Sequence, residues 1–152
     1  MQKISPFLWF DSQAEEAANF YVSVFKNSKI GTVTRYDAAA AKAGGRPEGS
    51  VLTISFQLEG VDFTALNGGP IFKFTEAISF VITCEDQAEI DYYWEKLSAV
   101  PEAEQCGWLK DKYGVSWQVV PKNLDKLIST PAGMQAMLKM KKLNIAELEK
   151  SA

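Results

Sequence analysis

Histidine is absent from the chain's 152 residues. That absence removes the commonest metal-binding side chain, the commonest general base, and every Ser-His-Asp or Cys-His arrangement. Any catalysis would have to use carboxylates, lysine, tyrosine, cysteine or a bound cofactor. Cysteine is scarce: Cys84 and Cys106 are the two present, too far apart in sequence for a metal or redox motif. Both are expected to be free thiols that fill space as small apolar groups do. No apolar stretch approaches the roughly 20 residues that span a bilayer. The apolar run Pro6–Phe10 is too short for an export signal. A cytoplasmic protein with no membrane partner is therefore expected. Positive charge is not in surplus either, since the net charge is −3. A global basic field for nucleic acid is thus missing. The pair Gly44-Gly45 lacks the other glycines and the Lys-Ser/Thr pair of a nucleotide-binding loop.

Apolar residues, by contrast, make up 47% of the chain, with 9 Phe, 5 Tyr and 4 Trp. That suffices for a full core without staples, and the length suits one domain, residues 1–152. The chain also repeats itself. Ile4–Phe10 is an apolar strand candidate, followed by Ser12 and Glu15, which read as a capping box. Ala14, Ala17, Ala18, Tyr21, Val24 and Phe25 then recur at helical spacing. Residues 78–97 replay this order. Ile78–Cys84 is the strand, Asp86 stands where Ser12 did, and Ile90, Tyr93, Trp94 and Leu97 form the stripe. Gln13-Ala14-Glu15 aligns with Gln87-Ala88-Glu89, identity for identity.

A second match closes each copy. Gly60-Val61-Asp62-Phe63-Thr64-Ala65-Leu66 resembles Gly114-Val115-Ser116-Trp117-Gln118-Val119-Val120. Val51–Leu58 alternates and turns at Glu59-Gly60, as a half-buried hairpin strand does. Cys106–Lys110 is a shorter strand turning at Asp111–Gly114. Each half is thus a strand, a helix and about three further strands: an α+β chain of tandem βαβββ units, residues 4–67 and 76–121. The segment Asp37–Gly49 reads as a flexible loop or a short helix, a candidate lid. A helical tail follows, residues 122–152, with start signals at Thr130-Pro131 and at Asn144 with Glu147. Lys139, Lys141 and Lys142 read as a solvated helix face.

Several strings carry a family resemblance: Pro6-Phe7-Leu8-Trp9-Phe10-Asp11, Ala14-Glu15-Glu16-Ala17-Ala18 with Phe20-Tyr21, and Ala65-Leu66-Asn67-Gly68-Gly69-Pro70. Phe72-Lys73-Phe74 with Glu76–Phe80, the specific string Cys106–Gly114, and the tail Met134–Leu143 complete it. The chain resembles the PhnB-like branch of the vicinal-oxygen-chelate (glyoxalase, bleomycin-resistance, dioxygenase) superfamily. That branch is also labelled a 3-demethylubiquinone-9 3-methyltransferase domain. The resemblance implies a cupped mixed sheet whose halves enclose a ligand cavity, and commonly a homodimer.

Metal-dependent members place four His, Glu or Gln ligands on cup-facing positions of the first and last strand of each half. On the last strands, apolar Val61, Phe63 and Ala65 match Val115, Trp117 and Val119, so this side should lie against the helices. Asp62, Thr64 and Leu66, matching Ser116, Gln118 and Val120, should line the cup. The same logic selects from Ile4, Pro6 and Leu8, and from Ile78, Phe80 and Ile82. Only Thr64 and Gln118 then bring oxygen donors, too few to repay the dehydration of a divalent ion. No metal and no cofactor are expected. The methyltransferase label meets a different obstacle, because the first strand ends in Phe10-Asp11-Ser12 without the glycine-rich turn of a doubly wound sheet.

The candidate ligand-binding residues are Phe10, Thr64, Leu66, Asn67, Phe80, Trp108 and Gln118. Each also has a structural reading: Trp108 as core, Gln118 as a partner to a neighbouring strand, Asn67 as a turn residue. Lys73 and Lys110 are surface lysines, or pair an anionic substrate if they reach the cup mouth. The expected function is metal-independent binding of a small apolar or aromatic molecule. The competing readings are an enzyme of the superfamily, by metal or methyl-donor chemistry, and an interaction module with no ligand.

Overall fold

A computed structural model describes residues 2–152. The chain divides into two compact units, residues 1–73 and 74–152. The first runs β1 (Phe7–Phe10), α1 (Ala14–Val24), β2 (Lys29–Arg35), α2 (Ala38–Gly44), β3 (Val51–Leu58) and β4 (Val61–Asn67). Its strands form one mixed sheet in the order β1-β4-β3-β2. β1 runs parallel to β4, and β3 is antiparallel to both of its neighbours. The β3–β4 hairpin turns at Glu59 and Gly60, both with positive φ (49° and 79°). That pair of left-handed residues matches the right-handed twist of the flanking strands. One side of the sheet is covered by α1 through buried Ala14, Ala17, Ala18, Tyr21 and Val24. The small alanines let the helix backbone approach closely. Tyr21 stacks on Phe56 at 6.2 Å between ring centroids, and Phe56 on Phe63 at 5.4 Å.

The expected capping box at α1 does not form. Ser12 makes no side-chain cap; its amide donates instead to Gln13 Oε1. The amide of Ala14 donates to Asn67 Oδ1, 2.8 Å away at the end of β4. Asn67 Nδ2 donates to the Val51 carbonyl, and the Tyr36 hydroxyl donates to Asn67's own carbonyl. One buried amide thus joins the start of α1, the start of β3 and the end of β4. Gly68 follows because a side chain there would overlap the Trp9 indole, with a Cβ only 2.3 Å from it.

The second unit runs β5 (Ser79–Cys84), α3 (Gln87–Leu97), a 3-10 turn (Pro101–Ala103), β6 (Trp108–Lys110) and β7 (Ser116–Pro121). Its sheet has the order β5-β7-β6, with β5 parallel and β6 antiparallel to β7. This is the first unit's β1-β4-β3 over again. The segment corresponding to β2 is the 3-10 turn, so two strands follow this helix where the repeat suggested about three. Pro101 offers no amide to a ladder and disfavours helical geometry at Val100, and few residues separate α3 from β6. The cap at α3 forms as expected: Asp86 Oδ1 accepts from Glu89 N, while Glu89 Oε1 accepts from Glu85 N. Ile90, Tyr93 and Leu97 of α3 are buried, as are Leu109, Trp117 and Val119 of the sheet.

The turn between β6 and β7 is organised by Asp111, only 1% exposed. Its Oδ1 accepts from the amides of Tyr113 and Val115, and its Oδ2 from Trp117 Nε1 at 2.8 Å. A buried carboxylate is tolerated because charge-assisted donors surround it. The tail contributes α4 (Leu124–Leu127), α5 (Pro131–Leu138) and α6 (Ile145–Ser151). Thr130 and Asn144 cap α5 and α6 as the sequence indicates. Leu127, Leu143 and Leu148 close over Val120 of β7. Gln87 on α3 ties the tail down, donating to the Leu143 carbonyl and accepting from Ile145 N. The chain is of the mixed α+β class, with helices at its C-terminal end.

Replacing Asp111 with Ala is expected to cost on the order of 3 kcal/mol, because three buried donors lose their acceptor together; urea denaturation measures it. Asn67→Ala is expected to cost about 2 kcal/mol on the same grounds, and Ser12→Ala under about 0.5 kcal/mol. Thermal melts of the two variants side by side check the contrast, and equal losses would restore Ser12 as the cap.

Candidate functional site

In each unit one sheet face is buried under its helix, α1 or α3; the other is free of that helix, though in the second unit the tail closes over Val120. The ladder register identifies the second face. In the first sheet, Thr64 pairs with Phe7 and Ser55, and Leu66 with Trp9 and Thr53. Asp62 pairs with Gln57, whose Nε2 donates to Asp62 Oδ1 at 2.6 Å. Paired residues share a face, so Phe7, Trp9, Thr53, Ser55, Gln57, Asp62, Thr64 and Leu66 stand together, away from α1. A cavity of about 330 Å³ opens here, lined by Lys29, Gly31, Ser55, Gln57, Asp62, Thr64 and the neighbouring phenylalanines. A side chain at Gly31 would strike Ser55 Oγ, 2.4 Å from its Cβ. The β2–β3 register shift between Ile30 and Val33 leaves that hydroxyl to accept from Thr32 N.

In the second sheet Gln118 pairs with Val81 and Trp108, and Ser116 with Ser79 and Lys110. These share the face away from α3. Gln118 Nε2 donates to Ser79 Oγ at 3.0 Å. Lys110 Nζ lies 2.7 Å from Glu76 Oε1, and the ammonium holds the Glu76 carboxyl below its usual value.

Thr64 and Leu66 therefore stand on the face the repeat assigns them, as does Gln118 in its own sheet, and Trp108, a candidate from outside the repeat, shares the face of Gln118. Phe10 and Phe80 do not. Phe10 pairs with Asn67 and is 3% exposed, on the helix side. Phe80 pairs with Trp117, its ring centroid 5.4 Å away, also on the helix side. The outward residues of the first strands are Phe7 and Trp9, and Ser79 and Val81, rather than the sets containing Leu8 or Ile82. Both first strands are displaced by one residue from expectation. Phe7-Leu8-Trp9-Phe10 is apolar throughout, so nothing in its pattern marks a side. Asn67, 6% exposed, has its amide engaged by Ala14 and Val51 and serves the fold. Lys29, Ser55 and Gln57 went unnoticed; the alternation of Val51–Leu58 carried the signal for the last two.

The outward positions do not fit the divalent ion of the metal-dependent members. They bring hydroxyls from Thr64 and Ser79 and one amide from Gln118, with Phe7, Trp9 and Val81 as the other first-strand residues. Among the described residues no three His, Cys, Asp or Glu side chains group closely enough to hold a metal. No chemical step is assigned to one. Cys84 is no nucleophile either. Burial, and then the charges of Glu89 and Asp86, push its thiol up to about 12. The folded state thus keeps a proton that the unfolded chain releases near 9, and stability falls as pH rises through that window. An aromatic disulfide reagent at pH 8 is expected to modify half-buried Cys106 in the native protein, and Cys84 only after urea is added. Prompt reaction at both thiols would contradict the burial.

The family profile described as 3-demethylubiquinone-9 3-methyltransferase matches residues 2–120. A PhnB protein from Bacillus cereus, itself described as a 3-demethylubiquinone-9 3-methyltransferase, is 40% identical. The match covers 79% of this chain and 99% of that one, with a TM-score of 0.65. A Pseudomonas aeruginosa protein (16% identity, 80% and 98% coverage, TM-score 0.57) has a similar fold. So does a glyoxylase/bleomycin resistance protein/dioxygenase domain from Frankia (12%, 80% and 92%, TM-score 0.50). Comparison with curated proteins gives no match. With most of its length under the profile and a full-length solved relative, the chain belongs to the PhnB-like, 3-demethylubiquinone-9 3-methyltransferase family.

Proposed function

We propose that the protein binds a small, partly apolar molecule on the sheet faces turned away from the helices. It does so without a metal ion or another cofactor, as a cytoplasmic homodimer. The observation that carries this reading is the cavity beside Thr64. Its floor is a strand face on which Ser55, Gln57, Asp62 and Thr64 offer polar anchors, with Phe7 on the same face beside Thr64. A volume of that size suits a small ligand. Thr64 and Leu66 are the proposed contact residues on the first sheet's face, and Gln118 and Trp108 those on the second's, each face taken by itself. Exposed Phe7 (60%), Ile71 and Phe72 are apolar surface that a second copy would cover.

The competing reading is the activity for which the family is described. Against it stand two small mixed sheets, ordered β1-β4-β3-β2 and β5-β7-β6, in place of a doubly wound parallel sheet. No helix among the described residues is long and apolar enough to cross a membrane, which suits a ligand drawn from water.

Native mass spectrometry with metal analysis of the purified protein is expected to give a doubled mass and no stoichiometric zinc, nickel or iron. Stoichiometric metal would overturn the reading. In a thermal-shift screen of small aromatic compounds, Thr64→Leu and Gln118→Leu are expected to keep the native melting temperature within about 3 °C, a shift worth about 1 kcal/mol. Both should reduce the ligand-induced shift. A fold that collapses in Gln118→Leu would mark that side chain as structural.

A further inference from the structure

Three polar side chains of the second unit take no part in the proposed contacts: Ser116 and Lys110 on its sheet, and Glu76 just before β5. Ser116 sits on the central strand β7, is 2% exposed, and its Oγ has no hydrogen-bond partner among the described residues. A buried hydroxyl without a partner costs free energy, on the order of 1–3 kcal/mol. On either side, at the same level, are Lys110 on β6 and Ser79 on β5. Glu76 lies three residues before Ser79, and its carboxylate meets the Lys110 ammonium at 2.7 Å. The ion pair therefore links β6 to the segment that enters β5, and β7 runs between those strands with Ser116 on the face of Lys110.

We infer that this is an oxyanion site whose occupant takes Glu76's place on Lys110. A carboxylate or phosphate oxygen there would accept from the ammonium and from the Ser116 hydroxyl, satisfying the group that now has no partner. The displaced Glu76 side chain is exposed and would turn to water. Exchanging one anion for another on the same ammonium keeps the local charge unchanged, so the cost of opening is small. The body of the ligand is set by the next positions along the strands. About 6.6 Å further on, at two residues of strand rise, Val81 and Trp108 flank Gln118. The geometry thus takes a small amphipathic anion: oxyanion over Ser116, apolar body on Val81 and Trp108, with the Gln118 amide between them. The inference rests on the reading of this face as a ligand face and gives its ligand a charge.

Isothermal titration of the full chain tests it with four probes: benzoate, phenyl phosphate, inorganic phosphate and benzyl alcohol. Benzoate or phenyl phosphate is expected to bind, and which of the two binds more tightly tells carboxylate from phosphate. Inorganic phosphate, lacking a body, binds more weakly. Lys110→Met should weaken the anion by roughly tenfold or more, the scale of one charge-assisted hydrogen bond, while Lys110→Arg retains most of the affinity. Glu76→Gln should tighten binding several-fold, because the internal competitor has lost its charge; a merely structural ion pair would give the opposite. Circular dichroism of each variant reports whether it folds, and Lys110→Arg and Glu76→Gln keep the test open if Lys110→Met does not. Benzyl alcohol binding as tightly as benzoate, or benzoate binding indifferent to Lys110 and Glu76, overturns the anion site. In that case, loss of benzyl alcohol binding in Gln118→Leu would leave the ligand face standing. Failure of all four probes to bind overturns the anion site as well; the thermal-shift screen of neutral aromatics then decides the fate of the face.

Discussion

In both units the first strand lies parallel to the last, and this pairing decides what every other side chain can do. A strand has two sides and no third option, so fixing one register partner fixes the whole face. Phe7 beside Thr64 and Val81 beside Gln118 are enough to divide the sheet residues into those under a helix and those open to a ligand. The helices are then held to one side by what they bury: alanines and a tyrosine over the first sheet, an isoleucine, a tyrosine and a leucine over the second. The cavity beside Thr64 and the ion pair of Lys110 and Glu76 exist because these faces were left free of those helices.

The two copies keep this plan with different chemistry at the joints. The first holds the start of its helix with a side chain from β4, Asn67; the second uses a local aspartate, Asp86. The second adds Asp111 to fix its hairpin turn through the indole of Trp117, where the first makes do with a left-handed Glu-Gly turn. A duplicated sequence is free to diverge in this way, since each joint needs an acceptor at one position and is indifferent to where in the chain it comes from.

Much of this was legible beforehand. The Gly-Val repeats at residues 60–66 and 114–120 located the closing strand of each unit. Their alternation sorted Phe63 and Ala65 from Thr64, and Trp117 and Val119 from Gln118, correctly. Helix starts carried by local polar side chains, at Asp86, Thr130 and Asn144, could be read from neighbours in sequence. What escaped was non-local. The Asn67 cap is a contact between residues far apart in the chain, whereas Ser12 is the acceptor that local sequence offers. The parity of Phe7–Phe10 depends on its pairing with β4, and a run of uniformly apolar residues carries no mark of it. Phe10 and Phe80 were misplaced for that one reason.

The 3-10 turn in the second unit has a further consequence. With no counterpart of β2, the short strand β6 is left at the rim of its sheet, where bare amides and carbonyls would invite a foreign strand and lead to aggregation. The chain covers that rim with itself. The amides of Cys106 and Gly107 donate to the carbonyls of Met140 and Lys141, and Ala99 N donates to the Lys110 carbonyl. The segment between α5 and α6 is thereby a guard against intermolecular pairing, set in place by the same tail that closes the core over Val120.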